Sequence, residues 1–262
     1  VIVAIDPDQN PKDLEAFLDA LNDKVEIGED VVVLPGMVAD SLEAASPFEN
    51  VHDKLLIDAT TLVPTDPRSP DEPLEGSYNQ PTPAWRQGTV ASDPFDNLEA
   101  VEALPDVRQA RMLRDNMLVV STPVVGTPSP RTGQHEGDDA QEAQRIEQIN
   151  RLRDSIWQLD SAKNLRWLFI TNDDLDMTHT KARRRLLWQL TARFDVGRGL
   201  TFDEGRDRLC WDATTPIPSE EHGVRRWPAV TLHDEETLAK VAAHPELSKY
   251  EWPPHLSFGG PE

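Results

Sequence analysis

The sequence predicts an α/β protein made of two small parallel-sheet lobes packed as an internal pseudo-dimer. Three observations carry that expectation. A short apolar run opens each half, an acidic turn and an amphipathic helix follow it, and each half then reaches the same string, Asp58-Ala59-Thr60 and Asp212-Ala213-Thr214. Three identical letters say little; the shared order of features is the mark of a duplicated unit.

Taken in chain order, Val1-Ile2-Val3-Ala4-Ile5 is apolar and largely β-branched, the pattern of a strand buried on both faces. The turn Asp6-Pro7-Asp8-Gln9-Asn10 ends it, Pro11 suits a first helical position, and Leu14, Phe17, Leu18 and Leu21 recur on one helical face. Val31-Val32-Val33-Leu34 predicts a second strand stopped by Pro35-Gly36, and Leu55-Leu56-Ile57 a third, together a right-handed βαβ unit. From Pro64 to Gln87 the chain is rich in Pro, Asp, Glu, Ser and Gln, which predicts an extended connection. Helices are expected at 98–104 and 106–115, a strand at Met117-Leu118-Val119-Val120, and a flexible linker over 126–140. Ile146, Ile149, Leu152, Ile156 and Leu159 then mark a helix. The second copy begins at Trp167-Leu168-Phe169-Ile170, turns at Asn172-Asp173-Asp174-Leu175-Asp176, and continues into a helix that carries Leu186, Leu187 and Leu190, with Thr178 or Thr180 as its cap. These readings divide the chain into lobe 1 (1–63), a long connection with local helices and a strand (64–141), and lobe 2 with a preceding helix and a tail (142–262).

The 262 residues are 38% apolar and carry a net charge of −21. That charge argues against nucleic-acid phosphate or an anionic membrane as the main partner. Residues 1–105 hold 22 acidic and 5 basic side chains, so the acidity is concentrated in the first half. Asp13, Glu15, Asp19 and Asp23, on the polar side of the first helix, are candidates for steering a basic protein partner. No run approaches the roughly 18–20 apolar residues of a membrane helix, and the N-terminus lacks a signal peptide's basic flank, so the expected location is cytoplasmic. The single cysteine, Cys210, excludes an internal disulfide and a multi-cysteine metal site.

At the repeated residues the sequence resembles the C-terminal domain of the UbiD family, the prenylated-FMN-dependent carboxylases and decarboxylases of aromatic and α,β-unsaturated acids. The second copy supplies Asn172-Asp173-Asp174-Leu175-Asp176, Trp188-Gln189-Leu190-Thr191-Ala192-Arg193-Phe194-Asp195 and Trp211-Asp212-Ala213-Thr214, followed by Arg226-Trp227-Pro228 and a helical stretch from Asp234. The first supplies Asp6-Pro7-Asp8-Gln9-Asn10, Ala45-Ser46-Pro47 and Asp53-Lys54-Leu55-Leu56-Ile57-Asp58-Ala59-Thr60. The resemblance implies two Rossmann-like lobes of the UbiD C-terminal type, covering 1–63 and about 165–250. It also implies that prenylated FMN, its metal and the acid–base residues belong to a larger catalytic region. No Glu-Arg-Glu constellation of that region maps onto this sequence, so no catalytic, cofactor-binding or metal-binding residue is assigned. The expectation is a non-catalytic accessory subunit, in a hetero-oligomer with a larger UbiD-like catalytic chain that carries the flavin.

Two other readings stand beside it. One is a free-standing binding module. In the other, Asp6-x-Asp8 at a strand's C-terminal end matches the opening motif of a Mg²⁺-dependent haloacid-dehalogenase-like phosphatase, with Ser121 or Thr122, Lys163, and Asp173 with Asp174 as the later groups. Gln9-Asn10 departs from that motif, and the phosphatase reading leaves both Asp-Ala-Thr strings unexplained. More simply, Asp6, Asp8, Asp173, Asp174 and Asp176 form acidic turns that cap helices, and Asp58 and Asp212 hold turns through Thr60 and Thr214. The seven histidines are scattered without helical metal-site spacing, and Arg183-Arg184-Arg185 reads as a solvated or interface face. Trp157, Trp167, Trp188, Trp211, Trp227 and Trp252 crowd the second half, mostly as expected core.

Overall fold

The computed structural model describes residues 1–38, 50–60, 94–95, 97–123, 138–173, 182–224 and 235–244, and not the side chains of 182–185, 188, 235, 238, 241 and 242. The first lobe runs β1 (Ile2–Ile5), α1 (Leu14–Lys24), α2 (Ile27–Asp30), β2 (Val31–Val38) and β3 (Val51–Ala59). Asp13 starts α1 by accepting hydrogen bonds from the backbone N–H groups of Glu15 and Ala16, and Leu18, Ala20 and Leu21 bury one face of it. The sheet order is β1-β3-β2. β1 is parallel to β3 with Val3 opposite Ile57, and β2 is antiparallel to β3.

The second lobe repeats this topology. β6 (Trp167–Asn172), α5 (Ala182–Ala192), α6 (Val196–Gly199), β7 (Leu200–Phe202) and β8 (Leu209–Asp212) follow in the same succession. The strands take the order β6-β8-β7, with β6 parallel to β8 and β7 antiparallel to it. Two more strands extend this sheet: β5 (Met117–Thr122) parallel to β6, and β4 (Gln109–Arg114) antiparallel to β5. The remaining helices are α3 (Leu98–Glu102), α4 (Asp139–Trp157) and α7 (Glu235–Ala242).

Both sheets are therefore mixed, not parallel as expected. β1 and β2 do not form a parallel pair, because β3 inserts between them and makes a hairpin with β2. The expected helix over 106–115 is strand β4. Its Arg, Gln, Ala, Met and Leu residues have good helix propensity, but pairing along β5 through the turn at Asp115-Asn116 overrides it. Asn116 is buried, and its carbonyl accepts from the backbone N–H groups of Arg166 and Trp167, which fixes the turn against β6. Pro35-Gly36 does not stop β2. The strand passes through it with a bulge between Leu34 and Met37, tolerated because β2 is an edge strand and Gly36 takes a φ of 64°. The expected linker over 126–140 ends early, since Asp138 caps α4 and Asp139 and Ala140 are helical; the rest of it, the 64–87 connection, and the caps Thr178 and Thr180 lie outside the described residues.

One hydrophobic core runs through both lobes. Leu18, Leu21, Leu55 and Ile57 from the first pack in the same cluster as Trp167, Phe169, Leu186, Leu190 and Trp211 from the second. The opposite face of the five-stranded sheet packs Leu118, Val120, Leu168 and Ile170 against Ile149, Leu152 and Ile156 of α4. β5 and β6 are consequently buried along their whole length, as their continuous apolar runs require.

Polar contacts join the lobes around that core. Arg114 of β4 grips α1, pairing with Asp19 and Glu15 and donating to the Glu15 carbonyl at 2.8 Å. Arg166 donates to the Asn22 carbonyl at the end of α1 at 3.1 Å. Gly197 of α6 lies against β3, where a Cβ would fall 2.7 Å from Asp53 Oδ2. The matching glycine of α2, Gly28, lies against the other lobe's β7–β8 turn, where a Cβ would fall 3.3 Å from the Arg206 carbonyl.

Candidate functional site

Strands β1 and β3 of the first lobe, and β6 and β8 of the second, end in the acidic turns that the sequence singled out. In open α/β sheets ligands bind beyond such strand ends. The first lobe's edge is simple. Asp6 is paired with Lys24 at 2.5 Å, Asp8 is exposed, and Asp58 Oδ1 accepts from the Thr60 backbone N–H at 3.1 Å and from its hydroxyl at 2.6 Å.

The second lobe copies the Asp-Ala-Thr turn and builds on it. Asp212 Oδ1 accepts from the Thr214 N–H at 2.9 Å and its hydroxyl at 2.5 Å. Its other oxygen accepts from Arg145 Nη1 of α4 at 2.8 Å. Arg145 is also held by Glu142, through Nε and Nη2 at 2.8 Å each, and Glu142 takes the Ile217 backbone N–H at 2.8 Å. Glu142 and Arg145 are fully buried in the core of this cluster. Burial pulls against the charged form of Arg145, but Asp212 and Glu142 outweigh it and keep its guanidinium more firmly protonated than usual. Alongside, Asn172 at the end of β6 accepts from the Thr215 backbone N–H at 2.7 Å and from Arg193 at 3.2 Å.

Sequence reasoning found Asp212, Thr214 and Asn172 but missed Glu142 and Arg145. The signal was available: charged residues three apart on the face of α4 that also carries Ile149, Leu152 and Ile156 must be buried with it. Asp195, predicted only as part of the family motif, caps α6 by accepting from the Arg198 N–H at 3.1 Å. Burial raises its carboxyl above the ordinary range, opposed by Arg198 and reinforced by Asp53 of the other lobe.

Chemically, this cluster is a set of fixed ion pairs. Each guanidinium nitrogen of Arg145 has a partner in the chain, so it does not fit a flavin phosphate. Among the described residues no three His, Cys, Asp or Glu side chains gather as metal ligands. Asp173 faces Arg108 at 4.0 Å; Asp174 and Asp176 lie outside the described residues, as do Trp227, Trp252 and the side chains of Arg183, Arg184, Arg185 and Trp188. Lys163 is paired with Asp160, Thr122 accepts from Gln148, and Ser121 Oγ is buried without a hydrogen-bond partner among the described residues. The phosphatase alternative is not favoured. Cys210 is buried, and burial raises its thiol far above the usual range, which makes it inert. Trp167 and Trp211 are core, as expected, and Trp211 Nε1 donates to the Leu190 carbonyl at 3.0 Å. No described helix is long and apolar enough to cross a membrane.

Comparison with known proteins gives this arrangement a family context. Residues 1–59 match the model of the 3-octaprenyl-4-hydroxybenzoate carboxy-lyase C-terminal domain, the UbiD C-terminal domain. Over 97 residues the chain is 35% identical to the phenolic acid decarboxylase of Escherichia coli O157:H7, covering 35% of this chain and 19% of that protein. Among solved structures, the UbiD-class enzyme HmfF from Pelotomaculum thermopropionicum, in an evolved dimeric form with prFMN, aligns at 16% identity and a TM-score of 0.32. That alignment covers 55% of this chain and 28% of HmfF. The closed form of the vanillic acid decarboxylase from Sedimentibacter hydroxybenzoicus aligns at 15% identity and a TM-score of 0.36, over 56% and 31%. The chain is thus UbiD-like and resembles the family's C-terminal domain. It spans about a fifth of the curated relative and under a third of these two solved chains.

Proposed function

We propose that this chain is a non-catalytic accessory subunit of a multi-subunit UbiD-class aromatic carboxylase or decarboxylase. Its partner is a larger UbiD-like chain that carries prenylated FMN and the metal, and its role is to stabilise or regulate that chain. The observation that carries this reading is the match of residues 1–59 to the C-terminal domain model, in a chain whose second lobe repeats the first lobe's strand order and senses. In this reading the two lobes are a fused pair, an internal pseudo-dimer of one C-terminal-type unit. The self-contained ion pairing of Glu142, Arg145 and Asp212 agrees with a scaffold more than with a reaction centre.

Affinity purification of the native assembly, followed by identification of co-eluting chains and flavin absorbance, tests the proposal. A larger UbiD-like chain should co-elute and carry the flavin, and the separated accessory chain should bring down none. Stoichiometric prenylated FMN on the separated chain, or purification with no such partner, would refute it.

A further inference from the structure

The repeat lets the outward faces of the two sheets be compared position by position. With Asp58 equivalent to Asp212, strand register makes Leu56 the counterpart of Cys210, Ile2 of Leu168 and Ala4 of Ile170. These residues alternate with the core-facing Val3 and Ile57, or Phe169 and Trp211, and so point away from the shared core. In the second lobe Leu168, Ile170 and Cys210 are buried in one cluster with Ile149, Leu152 and Ile156 of α4. In the first lobe the same positions are open: Ile2 is 57% exposed, Ala4 is exposed and Leu56 is half-buried. Val32, opposite Leu56 on β2, is 44% exposed. A sheet face left to water is normally polar, and this one is apolar across three strands. The sequence pattern of a strand buried on both faces is satisfied by β6, whereas β1 has one such face uncovered.

We infer that this face seats an amphipathic helix of the partner chain, as the second lobe seats α4; the inference rests on the accessory-subunit reading above. The covered lobe defines the occupant. α4 lays apolar side chains three and four residues apart on the sheet and brings Arg145 to Asp212 at the strand end. Asp58 stands at the equivalent strand end, half-buried. The incoming helix therefore carries the same apolar spacing, with a lysine or arginine on the flank that meets Asp58. A second copy of this chain is a poor occupant, because each copy brings a net charge of −21.

A single reactive thiol tests the docking face. Cys210, the chain's one cysteine, is buried and inert, so Val32→Cys adds the only thiol able to react. In the isolated chain that thiol should label readily with a maleimide, and in the purified native assembly its labelling should be lost. A benzophenone maleimide on it should cross-link to a partner segment with helical apolar spacing and a basic residue. Ile2→Lys should weaken partner association at least about tenfold, with the circular dichroism of the isolated chain unchanged because Ile2 is exposed. Val32→Lys probes the same face where the first variant folds poorly. Equal labelling in the assembly, cross-links to a second copy, within this chain or to a partner segment without that pattern, or wild-type association of both lysine variants would overturn the inference. With a larger chain co-eluting, those results leave the accessory reading standing; with no larger chain in the assembly, both fall.

Discussion

Arg145 shows how a single side chain can hold a turn that local sequence specifies only in part. Asp-Ala-Thr closes on itself in both lobes, and in the second lobe Asp212 also pairs with Arg145 of α4. Removing that cation leaves Asp212 and Glu142 in the protein interior without their ion-pair partner. Arg145→Met should therefore destabilise the protein by about 3–5 kcal/mol, read from urea unfolding, whereas Glu142→Gln with Arg145 intact should cost less. Asp195 makes a separate, pH-dependent contribution. Its carboxyl titrates above the unfolded value, mainly through burial, so the folded state holds that proton to higher pH. The stability it confers is complete below the usual carboxylate range and is lost as pH rises through the folded value. Asp195→Asn preserves the α6 cap and should flatten the stability curve above about pH 4, measured by thermal unfolding in a buffer series. A variant as steep as wild type would assign that slope to other groups. Residue-level reading of the sequence was good for the turn-forming Asp58, Asp212 and their threonines. It was blind to Arg145, whose role arises from a helix contributed by the chain between the two copies.

The same division holds for the elements. β1, α1, β5, α4, β6 and α5 were legible because their apolar residues keep one period over the whole element. β4 was not, since Gln109–Arg114 gains its partner only from the tight Asp115-Asn116 turn, and its residues taken alone favour a helix. The sense of the strands was misread for a related reason: helix-sized spacing between β1 and β2 suggested adjacency, while the stable pairing is β3 between them. Of the four acidic side chains expected on the polar side of α1, Asp13 caps the helix, Glu15 and Asp19 pair with Arg114, and Asp23 is exposed. Two glycines separate backbone from packing effects at this scale. Gly36→Ala meets no neighbour but must hold a φ of 64°, and should lose about 1–2 kcal/mol from strain alone. Gly197→Ala has an ordinary backbone but meets Asp53 Oδ2, so its loss should be relieved by Asp53→Ala in a double-mutant cycle.

At the scale of the molecule, the deciding fact is that one core serves both lobes. Leu18, Leu21 and Ile57 share one buried cluster with Trp167, Phe169, Leu186, Leu190 and Trp211 of the second lobe, so the first lobe alone would leave part of that apolar face open. A fragment of residues 1–60 should remain unfolded, with collapsed amide dispersion in its NMR spectrum, and should gain structure on mixing with residues 94–262. A fragment that folds cooperatively by itself would contradict this and make the lobes independent domains.

The seam where the two lobes share that core also bears on how such a molecule can change. When a unit assembles as two copies of one chain, every substitution at the contact is made twice, and a residue that suits one side must suit its mirror image. If the two lobes are a fused pair, as proposed above, joining them in a single polypeptide removes that constraint. At equivalent register positions the first lobe carries Val3 and Ile57 and the second Phe169 and Trp211. On the fused-pair reading proposed above, covalent linkage turns one surface into two that can drift separately, and the seam between them becomes the part of the protein freest to acquire a shape of its own.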